Sequence, residues 1–135
     1  MKTIKGSKNP AWTGYENISG TAYYNIKRGA ERRGIDFNIT IEECNKLWLL
    51  QNGKDFWTGQ PLTKEGSSKA SMDRRDSNLG YSFQNCVWVT SRTNLSKHTQ
   101  SENEFSELAK LIVDFGYMRQ EMCKRIEESI QKSNE

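Results

Sequence analysis

Few cysteines, one histidine and no long apolar run narrow what this chain can be. Cys44, Cys86 and Cys123 are odd in number and far apart, so they supply neither a disulfide framework nor the Cys-x-x-Cys spacing of a zinc knuckle. Free thiols, buried or half-buried, are the expectation. No apolar stretch approaches the roughly 20 residues that cross a bilayer, and Met1-Lys2-Thr3-Ile4-Lys5 lacks the apolar segment of a signal peptide. A soluble, cytoplasmic protein is expected. Apolar residues make up only 34% of 135 residues against 27% charged, which predicts one domain with a thin core, or a small domain with a flexible arm. His98 is the only histidine, so chemistry that needs an imidazole has a single candidate.

What is present in quantity is charge, unevenly spread. Residues 1–34 carry Lys2, Lys5, Lys8, Lys27, Arg28, Arg32 and Arg33 against Glu16 and Glu31, a net +5. Residues 101–135 hold five basic and eight acidic side chains, a net −3. A basic front half points to a polyanion partner, although solvated helices often look the same.

The pattern of apolar residues predicts the elements. Residues 1–17 read as an extended polar arm. Ala22, Tyr23, Ile26 and Ala30 share a helical face over Gly20–Arg33, with Gly34 as the stop. Thr40-Ile41-Glu42-Glu43 matches a capping box and opens a helix that ends at Gly53. Residues 64–69 read as a mobile polar loop. Ser71-Met72-Asp73-Arg74 reads as a strand, Asp76 to Gly80 as a turn, and Val87-Trp88-Val89-Thr90 as a second strand. Ser91 then caps a helix carrying Asn94, Leu95 and His98. A further capping box, Ser101 to Glu104, opens a long amphipathic helix through Phe105, Leu108, Ile112 and Phe115, with Gly116 as a point where it kinks or breaks.

The order strand, loop, strand, helix puts a carboxylate, Asp73, on the first strand and an amide, Asn94, on the helix, 21 residues later. Hard Mg²⁺ takes oxygen ligands and keeps most of its waters, so one carboxylate and one amide oxygen suffice as protein ligands. Asn85, before the second strand, is placed to tie the intervening loop together.

The stretch Ala70 to Tyr81, followed by Gln84-Asn85-Cys86-Val87-Trp88-Val89 and Asn94, resembles the core of phage HNH (ββα-metal, His-Me finger) endonucleases. It is most similar to the branch whose first strand reads Asp-Arg-x-Asp in place of Asp-His. Arg33 to Thr40 and Thr58-Gly59-Gln60-Pro61-Leu62 resemble the helical lead-in of that branch, and Gly6 to Trp12 a short DNA-contacting module. The resemblance implies a metal-dependent DNA endonuclease using Mg²⁺ or Mn²⁺, with Asp73 and Asn94 as metal ligands, Asn85 as the loop-fixing asparagine and no structural zinc. Arg74 stands where the family has its general-base histidine. An arginine does not accept a proton near neutrality, since its pKa exceeds about 12, but it can clamp a phosphate oxygen.

The expected fold is α+β: a helical lead-in over 18–69, a ββα-metal core over 70–100, and a long C-terminal helix over 101–135 packing on that core. The candidate catalytic residues are Arg74, His98 and Asn85, with Asn85 more structural than chemical. The metal ligands are Asp73 and Asn94, and the DNA contacts are Lys5, Lys8, Lys27, Arg28, Arg32 and Arg33. His98 is balanced between a solvated helix end and a role in activating water. Tyr23, Tyr81, Phe83 and Trp88 read as packing residues. Two rivals stand beside the enzyme: an HNH-like DNA-binding protein without activity, because Arg74 replaces the histidine, and a phage factor that binds a host protein through its acidic tail.

Overall fold

Ser19 starts the first helix by accepting a hydrogen bond from the Ala22 amide at 3.0 Å, which satisfies one of the donors a helix N-terminus leaves unpaired. A computed structural model describes residues 14–135. They fall into two compact units, divided between Ser101 and Glu102. In the first unit, α1 (Gly20–Arg32), β1 (Phe37–Asn38) and α2 (Ile41–Leu50) form the lead-in, followed by β2 (Ala70–Arg74), β3 (Tyr81–Ser82), β4 (Cys86–Thr90) and α3 (Ser91–Lys97). The second unit is α4 (Glu102–Asp114) and α5 (Gly116–Ser133). The architecture is α+β. No helix among the described residues is long and apolar enough to cross a membrane.

The Thr40–Glu43 capping box forms as the spacing predicts, with Thr40 Oγ1 accepting from the Glu43 amide and Glu43 Oε1 from the Thr40 amide. The C-terminal helical stretch breaks where Gly116 is expected to kink or break it, giving two helices. Phe115, with φ −89° and ψ 2°, interrupts it, and none of the residues of α4 or α5 is buried.

β2 and β4 pair antiparallel, with Met72 opposite Trp88 and Asp73 opposite Val87. Alternation sends Met72 and Trp88 to one face, where they join Ile18, Ala30, Ile39, Cys44 and Leu47 in the core. Ser71 and Asp73 take the other face. Trp88 anchors this core by donating from Nε1 to the Cys44 carbonyl at 2.9 Å and by an edge contact with Trp48. Burial pushes the Cys44 thiol up to about 12 and that of Cys86 up to about 11, so both stay protonated and inert.

β3 is too short for any periodicity to announce, yet it ties the lead-in to the hairpin. It runs parallel to β1, and the Tyr81 amide donates to the Asp36 carbonyl at 2.8 Å. Glycine is required beside it, since a Cβ on Gly80 would lie 2.7 Å from that same Asp36 oxygen.

Among the described residues the outer edge of β4 meets no third strand. Gln51 serves it instead: Oε1 accepts from the Trp88 amide and Nε2 donates to the Trp88 carbonyl, both at 2.8 Å. Further along, the buried Asp55 carboxylate accepts from the amides of Thr90, Trp57 and Thr58 at 2.6, 2.7 and 2.8 Å. Burial acts to raise the Asp55 pKa, but the amides of Thr90, Thr58 and Trp57 and the Thr93 hydroxyl outweigh it, leaving the group below its ordinary value. The stabilisation is therefore present above the unfolded pKa of about 4 and lost as the pH falls through the lower folded one. In urea titrations, the wild-type midpoint should fall with acid below about pH 4. Asp55→Asn should already be weaker at pH 7 by about 2 kcal/mol and should lose part of that acid slope. An unchanged slope would show that Asp55 does not carry it.

Candidate metal centre and nucleic-acid cleft

Ser71 and Asp73 lie two apart on β2, and Asn94 and Lys97 three apart on α3. Each pair shares one face of its element. The two faces meet residue for residue. Asn94 Nδ2 donates to Ser71 Oγ at 2.7 Å, and Lys97 Nζ lies 3.2 Å from Asp73 Oδ2. α3 is set at this angle by Thr90, whose hydroxyl accepts from the Thr93 amide. The cap is thus Thr90 and not the expected Ser91, because Ser91 is already the first helical residue. Ser91 instead uses its amide and hydroxyl on the Lys69 carbonyl.

That contact corrects the expectation of a mobile loop at 64–69. The amides of Ser91 and Arg92, unpaired within α3, donate to the carbonyls of Lys69 and Ser67 at 2.8 and 3.0 Å. The loop is held by the helix start. It brings Lys64 and Lys69 to a cleft of about 1070 Å³ that Arg33, Ser71, Asp73, Arg74, Asn94 and His98 also line.

The cleft gathers most of the expected site. Asp73 is buried, with 8% of its side chain exposed, and Oδ2 is sealed beneath Lys97. The part that reaches the cleft belongs to its other atoms. Asn94 is oriented by Ser71; its backbone carbonyl accepts from the His98 amide at 3.0 Å, and its side-chain Oδ1 accepts no hydrogen bond from the described residues. His98 follows the end of α3 instead of continuing the Asn94 face. It takes φ 51° and ψ −126°, a backbone region that favours glycine, and it is exposed.

Arg74 is partly committed elsewhere. Its Nη1 donates to the carbonyls of Ser77 and Leu79 at 2.8 and 2.9 Å, and its guanidinium lies over the Tyr81 ring. Nε and Nη2 carry no bond to the described residues. Tyr81 organises a second arginine, for Arg33 Nη2 donates to its hydroxyl at 2.9 Å. Tyr81 and Trp88 pack in the core, with Tyr23 and Phe83 against it, as expected, but Tyr81 does more than pack.

Asn85, named with the catalytic candidates, spends its whole amide on the loop. Nδ2 donates to the carbonyls of Asp76 and Gly80, and Oδ1 accepts from the Asp76 amide. It is buried and does not line the cleft, so it acts by fixing the turn between β2 and β3. Lys27, Arg28 and Arg32 are exposed on α1 but do not line the cleft either, and Arg28 stacks on Tyr24. Lys5 and Lys8 lie outside the described residues. Lys97, Lys64 and Lys69 were not among the expected residues; the i, i+3 spacing of Asn94 and Lys97 is the one signal that pointed toward the first of them.

Among the described residues no three His, Cys, Asp or Glu side chains cluster as a metal cage. Asp73 and Asn94 both line the cleft, and one carboxylate with one amide oxygen is a donor set that fits a hard cation that keeps its waters. No family model, curated protein or solved structure matches the chain.

Proposed function

We propose that the chain is a metal-dependent DNA endonuclease of the HNH type, cutting or nicking phosphodiester bonds with Mg²⁺ or Mn²⁺. The observation that carries this reading is the meeting of the Ser71/Asp73 face of β2 with the Asn94 face of α3, beside one cleft that also holds Arg74 and His98. Asp73 and Asn94 would hold the cation, which when bound supplies Lewis acidity toward a phosphate oxygen. Arg33 and the remaining edge of the Arg74 guanidinium face a negatively charged backbone and balance charge that builds on the phosphate. His98 accepts the proton of the attacking water. Lys64 and Lys69 at the cleft wall add phosphate contacts.

A second reading has its own support. Lys97 already sets a cation against Asp73, which suits a DNA-binding protein without activity. Incubation of supercoiled plasmid with Mg²⁺, Mn²⁺ or EDTA separates the two. Nicked or linear product that EDTA abolishes is expected. DNA binding should also weaken with salt at a log–log slope of about −2 to −4, as Arg33, Lys64, Lys69 and Arg74 displace counterions. Salt-sensitive binding with intact plasmid in both metals would favour the inactive protein.

A further inference from the structure

Lys97 is among the most deeply buried large side chains of the protein, 1% exposed, and its ammonium has one described partner, Asp73 Oδ2. Taking an ammonium and a carboxylate out of water together gains little over an apolar pair of the same volume. Packing alone therefore gives no reason for a lysine here. Its effect falls on Asp73. One carboxylate oxygen is pinned by the ammonium and sealed, so the side chain meets the cleft in one orientation.

The charges have a second consequence. Asp73 and Lys97 sum to zero and Asn94 is neutral, so an arriving divalent ion meets no net negative charge from this group, with a cation already behind its ligand and the cations Arg33, Lys64, Lys69 and Arg74 along the cleft. Charges a few ångströms apart in a protein interact strongly enough to change an equilibrium constant tenfold or more. Resting on the reading of Asp73 as a metal ligand, we propose that Lys97 is a built-in counter-cation that positions the Asp73 carboxylate and keeps the site's hold on a divalent ion weak and exchangeable. Lys97 touches no substrate. It is a positioning residue whose second effect is to tune affinity.

Calorimetric titration of the full chain with Mn²⁺ tests this, using wild type, Lys97→Gln, Lys97→Arg and Asp73→Asn. Glutamine leaves a polar side chain beside Oδ2 but removes the charge, and arginine keeps the charge. The expected result is weak, saturable binding by wild type and by Lys97→Arg. Binding should be roughly tenfold tighter or more in Lys97→Gln and lost in Asp73→Asn. If Lys97→Gln is unfolded in EDTA, its affinity is read from the rise of its thermal midpoint with Mn²⁺. Equal or weaker binding by Lys97→Gln overturns the role given to Lys97 and leaves the metal centre standing. Absence of saturable Mn²⁺ binding in wild type overturns the metal centre itself, and this proposal with it. A purely structural lysine would lower stability without tightening the site.

Discussion

Asp73→Ala is expected to stop plasmid cleavage and to lower the stability of the first unit by about 3–5 kcal/mol. The second effect follows from Lys97. Truncating Asp73 leaves a 1%-exposed ammonium with no described partner, and breaking a buried pair from one side is far worse than removing both. Against a total of about 5–15 kcal/mol for a typical domain, the single variant would be partly unfolded when warmed, so its inactivity would prove little. The double variant Asp73→Ala/Lys97→Met should recover most of the stability, because no charge is left stranded, while remaining inactive. Urea unfolding followed by tryptophan fluorescence reads this cleanly: Trp48, Trp57 and Trp88 lie in the first unit and no tryptophan lies in the second. A single variant as stable as wild type would mean that Asp73 does not anchor Lys97. A double variant that cuts plasmid would remove Asp73 from the chemistry.

The second large effect is expected at His98, where a glycine should lower the rate and raise the stability. If this imidazole takes the proton of the attacking water, His98→Ala and His98→Gly should each slow cleavage by about 10²–10⁴. The two variants should differ in stability. At φ 51° and ψ −126°, histidine and alanine both sit in a strained region, and glycine does not. His98→Gly should exceed His98→Ala in stability by about 1 kcal/mol, the relief of strain less the entropy that glycine loses on folding. A wild-type rate in both variants would exclude the histidine. Equal stability would show that the backbone there is relaxed.

The parts of this fold that depend on neighbours in sequence are legible in it. Thr40 and Glu43 announce their helix because both bonds of the capping box form within one turn, and the β-branched and aromatic content of Val87-Trp88-Val89-Thr90 announces the second strand of the hairpin. Asn85 is legible as a loop-fixing residue for the same reason: its partners, Asp76 and Gly80, are close by. What escapes is decided by long-range registry. The Lys97–Asp73 pair exists only once α3 lies on β2, and in sequence Lys97 looks like any basic residue in the last turn of a helix. Asp55 is as unremarkable until the Thr90 amide arrives from 35 residues away. β1 and β3 are two residues each, below the length at which a period can be read. The candidate ligands could be named from their motif, but the cation beside one of them could not.

Gln51 and Asp55 also determine what the small sheet can join. A strand with a free row of amides and carbonyls is a template on which another chain can add, and two-stranded hairpins are especially open to it. Along β4 that row is already occupied, at Trp88 by a side-chain amide standing in for a strand and at Thr90 by a carboxylate. The pairing they replace would have fixed nothing about which chain supplied it. Side chains from 51–55 belong to the same molecule and arrive with α2, so the hairpin is closed on that side from within. It therefore resists strand exchange and fibrous growth through β4 without a third strand.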